Sequence, residues 1–141
     1  MRVLLDTDVV LDFLLKRRLF FPDADKIFVR LQNMDFEGFV SSITPINAFY
    51  TCRKENGKNV AFDAVRELLK VVEICPAGKS DLLNALSFGF SDYEDAVQRA
   101  SAIAANLNAI ITRNTKDYTT SPVPVHTPAE FLKNLQNEPE G

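Results

Sequence analysis

Short, almost wholly apolar runs recur along this chain, and segments with the apolar spacing of helices separate them. The runs cover residues 3–5, 39–40, 71–75 and 109–111, and a run at 123–125 with Pro124 at its centre is typical of an edge strand. A strand that is apolar at every position is buried on both faces, as strands are in a parallel sheet covered by helices. We therefore predict an α/β fold, with three α/β/α layers around a central parallel sheet of about five strands.

The length of the chain suits one domain. With 141 residues it can bury roughly two-thirds of its surface on folding, so a core of ordinary size needs no staple. We place the domain at residues 1–135 and expect the polar segment 136–141 to fray. No apolar run approaches the ~20 residues of a membrane span, and the first residues lack the pattern of a signal peptide. We expect a cytoplasmic protein that does not contact a membrane.

The few cysteines and histidines count against several kinds of site. Cys52 and Cys75 are the two cysteines and form no CxxC motif, which argues against a disulfide framework or a structural zinc site. His126 is the single histidine and lies in a proline-rich stretch, so serine–histidine or cysteine–histidine catalysis has little support.

The charge of the chain argues against binding nucleic acid through bulk positive charge. Sixteen Lys and Arg residues against nineteen Asp and Glu residues give a formal net charge of -3. That balance still permits a protein that holds a metal ion on carboxylates and meets phosphate through that ion.

Polar side chains follow the predicted strands at the points where the strands end. They lie at residues 6–8 after the first strand, 42–47 after the second, and 112–117 after the run at 109–111, and residues 92–95 begin a helix. Parallel sheets place their chemistry beyond the carboxyl ends of their strands, so these segments are expected to meet. Crowded carboxylates repel one another unless a cation joins them, and oxygen ligands suit Mg²⁺ or Mn²⁺. Such an ion can activate water and neutralise charge on a phosphodiester.

Four segments together resemble the PIN domain family, in the order in which the family has them. They are residues 4–12 (LLDTDVVLD), 40–47 (VSSITPIN), 91–97 (SDYEDAV) and 110–118 (IITRNTKDY). The resemblance covers nearly the whole chain. It implies a PIN-like fold and a metal-dependent ribonuclease, which in this family is most often the toxin half of a VapBC-type toxin–antitoxin pair.

The resemblance also implies a set of site residues. Asp6, Asp95 and Asp117 match the positions of the family's metal-binding aspartates. Asp92 and Asn114 match accessory positions, next to the third and the fourth acidic position respectively.

The chain departs from the family's pattern at Asn47, where the family usually has glutamate. An asparagine offers a neutral carbonyl oxygen and an NH₂ donor, so the site loses one negative charge. We expect Asn47 to complete the metal shell directly or through water, with lower metal affinity and with catalysis that is weaker, substrate-assisted or absent. A weakened PIN module that binds RNA or a partner protein is therefore an alternative to the enzyme.

Several of these residues also have purely structural interpretations. Asp6 can end its strand and cap the following turn, and Asp92 can complement a helix dipole. Asp8 is better explained as a helix cap, and Glu94 as the second half of a capping box that begins at Ser91. Asn114 and Asp117 can form an ordinary turn.

Residues beside the presumed site supply two further expectations. Thr112 either donates its hydroxyl to a site carboxylate or fills a strand end. Arg113 and Lys116 are candidates to guide an RNA backbone towards the metal ion. The apolar segment 19–21 can form a partner or homodimer surface, or it can simply be buried in the core.

A phosphatase of the haloacid dehalogenase type is a second enzymatic alternative. Asp6 and Asp8 have the spacing of its nucleophile and following acid. The residues after them, Val9 and Val10, replace the glycine and threonine that are usual there.

Overall fold

The computed structural model describes residues 1–89 and 92–137, and its centre is a parallel sheet of five strands. The strand order is β3-β2-β1-β4-β5. Their bounds are β1 Arg2–Leu5, β2 Glu37–Ser41, β3 Glu73–Cys75, β4 Ala109–Ile111 and β5 Val125–His126. Every pair of neighbouring strands is parallel, which confirms the predicted sheet.

The helices cover both faces of the sheet. Their bounds are α1 Thr7–Leu14, α2 Phe21–Gln32, α3 Ile43–Asn56, α4 Lys58–Val71, α5 Lys79–Ala85, α6 Tyr93–Ala104 and α7 Pro128–Asn137, with a short 3-10 helix at Thr115–Tyr118. Alternate residues of β1 enter different cores: Val3 and Leu5 pack with Phe28 of α2 and Phe131 of α7, whereas Leu4 packs in a separate cluster. The structure therefore has the predicted three α/β/α layers.

The order of the strands fixes where a site can form. β1 pairs with β2 on one side and with β4 on the other. The chain builds outwards from β1 to β2 and β3, and then crosses back to place β4 on the opposite side of β1. The gap beyond the carboxyl ends of β1 and β4 is thus a topological switch point, where parallel sheets form their sites.

Two sequence expectations concern residues at or beyond the edge of the described part. Gln136 and Asn137 belong to α7, so the part of the polar segment that is described is helical, and residues 138–141 lie outside the described residues. Ser91, the expected start of a capping box, also lies outside them. Among the described helices, none is long and apolar enough to cross a bilayer.

Candidate metal centre

Asp6 lies directly after β1, at the switch point of the sheet, and is almost fully buried. It occupies the N-cap position of α1, yet its side chain makes no capping hydrogen bond. Its Oδ2 instead accepts hydrogen bonds from the Thr112 hydroxyl at 2.6 Å and the Tyr118 hydroxyl at 3.3 Å. The side chain of Asp6 therefore does not cap the helix, and Thr112 donates its hydroxyl to the Asp6 carboxylate.

A buried glutamine joins Asp6 to Asp95. Gln98 lies one turn after Asp95 on α6 and is completely buried. Its Nε2 lies 3.0 Å from Asp6 Oδ1 and 3.3 Å from Asp95 Oδ1, while its Oε1 accepts from the Thr7 backbone N–H at 3.3 Å. Both ends of the amide are thus used, which holds the two carboxyl groups around one nitrogen atom.

Asp117 completes a group of three aspartates. Asp117 lies close enough to Asp95 to raise the pKa of that carboxyl group, and its own Oδ2 accepts a hydrogen bond from Asn114 Nδ2. Burial, the charge of Asp6 and the contact with Asp117 raise the pKa of Asp95 from 3.8 to about 8. The turn at 114–117 therefore brings Asp117 to the site, as expected of its position after the strand.

Glu94 connects three helices at the same edge. Its Oε1 accepts from Thr7 Oγ1 of α1 at 2.7 Å, and its Oε2 accepts from Asn47 Nδ2 of α3 at 2.7 Å. The helix that carries Glu94, α6, is capped by Asp92, whose Oδ1 accepts from the Asp95 N–H at 3.1 Å. Asp92 is therefore the N-cap residue of α6, and the Glu94 carboxylate bonds to side chains of α1 and α3.

Asp8 is wrongly predicted as a helix cap, because it lies inside the first turn of α1. Its Oδ2 accepts from the Arg113 backbone N–H at 3.2 Å and lies 3.3 Å from Thr112 Oγ1. Its Oδ1 is buried without a hydrogen-bond partner. Burial, and then the charge of Asp6, raise the pKa of Asp8 from 3.8 to about 7.

The two basic candidates differ in what their side chains contact. The Arg113 guanidinium forms a bidentate pair with Asp12, at 2.6 and 3.3 Å, and stacks on the Phe20 ring at 3.8 Å. The positive charge of Arg113 is thus paired with Asp12 of the same chain. Lys116 is exposed on the 3-10 helix, next to Asp117.

The sequence did not predict three sets of contacts at this edge of the sheet: those of Gln98, of Tyr118 and of Glu94. Gln98 had a local indication, because a large polar residue three positions after Asp95 shares its side of the helix. Tyr118 follows Asp117 directly, but an aromatic residue there is as typical of core packing as of a site. Nothing local to Glu94 distinguishes a site residue from a helix-terminal acid.

The donor chemistry of the group fits a hard divalent cation. Asp6, Glu94, Asp95 and Asp117 offer carboxylate oxygens, which are the ligands that Mg²⁺ and Mn²⁺ prefer. Within residues 1–89 and 92–137, no three acidic, histidine or cysteine side chains stand in a ready-made ligand arrangement. A cation would therefore have to displace the present hydrogen bonds of the carboxyl groups to Gln98 and Asn114.

Comparison with known proteins identifies a family. A family model described as a PIN domain matches residues 2–116, which is most of the chain. No curated protein sequence matches the chain significantly.

Several solved structures share the fold. VapBC-1 from nontypeable Haemophilus influenzae has a TM-score of 0.70 at 16% identity, over 92% of this chain and 99% of that chain. A toxin–antitoxin complex from Klebsiella pneumoniae has a TM-score of 0.67 at 24% identity, over 89% and 97%. VapC20 from Mycobacterium tuberculosis, described as a sarcin-ricin loop cleaving toxin, has 0.64 at 11% identity, over 77% and 86%.

Proposed function

The chain belongs to the PIN domain family, and on that premise we propose that it is a metal-dependent endoribonuclease of VapC type. Its reaction is the hydrolysis of phosphodiester bonds in RNA with Mg²⁺ or Mn²⁺ as the cofactor. The cleaving toxin among its structural neighbours, VapC20, supports this choice of reaction. In the proposal the chain acts in the cytoplasm, where RNA is within reach.

The observation that carries the proposal is a group of three aspartates, one buried and two partly buried, without a positive partner among the described residues. Asp6 and Asp95 meet at the amide of Gln98, and Asp117 lies close enough to Asp95 to raise its pKa. Among the described residues, no lysine, arginine or histidine forms an ion pair with any of the three. Carboxyl groups held together in this way are stabilised by a cation, which offsets their mutual repulsion.

Each residue of the group has a role in this proposal. Asp6, Asp95 and Asp117 hold the cation, with Asn114 orienting Asp117. Thr112 and Gln98 hold the carboxyl group of Asp6 in place. When bound, the cation offsets negative charge on the phosphodiester and makes a water molecule more acidic.

The substrate and the protein partners follow from the same premise. Of the two basic candidates, Lys116 is exposed beside Asp117 and can guide an RNA backbone, whereas the Arg113 guanidinium is paired with Asp12 and stabilises the fold. We propose an antitoxin protein as the partner, because a structural neighbour is a toxin–antitoxin complex. A homodimer is compatible with the apolar side chains of Leu19 and Phe20, which are exposed.

A second candidate function, a weakened PIN module, is favoured by one observation alone. Asn47 stands where the family usually has a glutamate, so the site lacks a charge at that position. The phosphatase alternative has no such support, because the chain belongs to another family and Asp8 is tied to Thr112 and Arg113.

Cleavage of a panel of RNAs tests the proposal. We expect wild-type protein to cleave with Mn²⁺ and to stop with a chelator, and Asp6→Asn to lower the rate roughly 100-fold or more. Asp63→Asn, which removes an exposed aspartate on α4, is the matched control and should cleave like wild type. Absence of cleavage with Mn²⁺, together with equal Mn²⁺ binding by wild type and Asp6→Asn, would contradict the proposal.

A further inference from the structure

We propose that Glu94 is a further ligand of the divalent cation and supplies the charge that Asn47 lacks. In this proposal Asn47 and Thr7 are positioning residues that hold the Glu94 carboxylate. The inference rests on the proposed metal-dependent function, and it explains how a site with asparagine at this position keeps its acidity.

The contacts of Glu94 fix its carboxylate from two sides. Asn47 Nδ2 and Thr7 Oγ1 each lie 2.7 Å from a different oxygen of Glu94. The reverse orientation of the Asn47 amide would face its carbonyl oxygen to a carboxylate, so the NH₂ group is the end that points to Glu94. The asparagine is thus the residue type that this pairing requires, since a glutamate at position 47 would oppose one carboxylate to another.

The hydroxyl groups of Thr44 and Thr7 also help to hold the Glu94 carboxylate. Thr7 Oγ1 also lies 2.8 Å from Thr44 Oγ1, and Thr44 is completely buried. Because the Thr7 hydroxyl has one hydrogen and Glu94 accepts it, Thr44 must donate to Thr7. Three side chains from α1 and α3 therefore serve to present one carboxylate from α6.

Glu94 and its partner Thr7 are the chain neighbours of two proposed ligands. Thr7 follows Asp6 in sequence, and Glu94 precedes Asp95. Two connections link the same two segments: Gln98 joins Asp6 to Asp95, and the Thr7 hydroxyl joins directly to Glu94. One oxygen of Glu94 accepts from Thr7 and the other from Asn47, and each keeps a second lone pair for a cation.

A structural role for Glu94, as a connector of α1, α3 and α6, is the competing explanation. The double variant Asn47→Asp, Glu94→Gln separates the structural role from the ligand role. It moves the negative charge from α6 to α3, and the amide at position 94 can still donate a hydrogen bond to the carboxylate at position 47. Glu94→Gln alone removes the charge, while the Asn47 amide can turn to preserve the contact. Glu37→Gln is the matched control, since Glu37 is exposed at the amino end of β2, the opposite edge of the sheet.

The measurement is Mn²⁺ affinity, followed by electron paramagnetic resonance of the free ion, together with the thermal midpoint of the metal-free proteins. We expect Glu94→Gln to weaken Mn²⁺ binding roughly 10–100-fold, with the midpoint changed little. The double variant should bind within about threefold of wild type, and Glu37→Gln should match wild type.

Two results would overturn the inference. One is a Glu94→Gln variant that binds Mn²⁺ as tightly as Glu37→Gln, and the other is a double variant that binds no better than Glu94→Gln. Asp6→Asn separates this failure from failure of the proposed function. If Asp6→Asn abolishes Mn²⁺ binding while Glu94→Gln leaves it intact, the metal site stands and only the role of Glu94 is lost.

Discussion

Two buried aspartates, Asp6 and Asp12, lie within two helical turns of each other, towards opposite ends of α1. Asp12 is 1% exposed and has two positive partners, Arg113 at 2.6 Å and Arg17 at 3.6 Å. Asp6, 4% exposed, has neutral donors: Gln98, Thr112 and Tyr118. The carboxylate of Asp12 is balanced within the chain, whereas Asp6, together with the neighbouring Asp95 and Asp117, forms an unbalanced group with no positive partner among the described residues.

The difference shows how to separate a structural acid from one that binds a cation. Burial alone does not distinguish them, because both aspartates are buried. Charge balance does, because a buried carboxylate that is not paired is costly unless something from outside the chain offsets it. The acidic net charge of the chain is therefore less informative than where the unpaired part of that charge lies.

Removing the balanced acid should have the largest effect on stability. Asp12→Asn leaves the guanidiniums of Arg113 and Arg17 without their common partner, which we expect to lower the free energy of unfolding by about 3 kcal/mol. This is the low end for a buried pair, since both arginine side chains are about one-third exposed. Urea unfolding measures the loss. An unchanged free energy of unfolding would mean that the pair is not a structural element.

The unbalanced group should make the metal-free protein less stable as the pH rises. The pKa of Asp95 is raised to about 8, so its contribution to stability is present below the unfolded pKa near 3.8 and is lost as the pH rises through 8. Allowing for solvent screening, we expect a fall of roughly 1–2 kcal/mol between pH 5 and pH 8.5. Thermal unfolding with a chelator measures it. Asp95→Asn should make the profile shallower, with a remaining slope from Asp8, whose pKa is raised to about 7, while Asp63→Asn should leave it as steep as in wild type. If stability fell as steeply with pH in Asp95→Asn as in wild type, Asp95 would not be a cause of the pH dependence.

The smallest effects should separate Arg113 from Lys116. Arg113→Lys loses the bidentate pair and the stacking on Phe20, so we expect about 1 kcal/mol less stability with little change in RNA affinity. Lys116→Ala should leave stability unchanged and weaken RNA binding, with a smaller dependence on salt. Unfolding curves measure the change in stability. A salt titration measures RNA binding, with each substitution made in the Asp6→Asn protein so that the RNA is not cleaved. The reversed pattern would make Arg113 the RNA contact.

The fold was predictable because its determinants are local. The apolar runs that become β1, β2 and β4 are buried on both faces, and that requirement leads directly to a parallel sheet with helices on each side. The position of Asp6 followed in the same way, since the residue after a central strand lies at the edge where sites form.

The partners within the site were not predictable, because they depend on contacts between distant segments. Glu94 meets Asn47 and Thr7 across 47 and 87 positions of sequence, and its helix-terminal location alone suggested a cap. Arg113 looked like a site residue from its neighbours, but Asp12, 101 positions away, determines where its charge lies.

The shift of the thermal midpoint on adding Mn²⁺ tests most directly whether the unbalanced group takes up a cation. A ligand at about 100 times its dissociation constant contributes about 2.7 kcal/mol, or roughly 5–10 °C for a domain of this size. We predict this shift for wild type and Asp12→Asn, although the latter starts from a lower midpoint, and no shift for Asp6→Asn. An equal shift in Asp6→Asn, or none in wild type, would contradict the account.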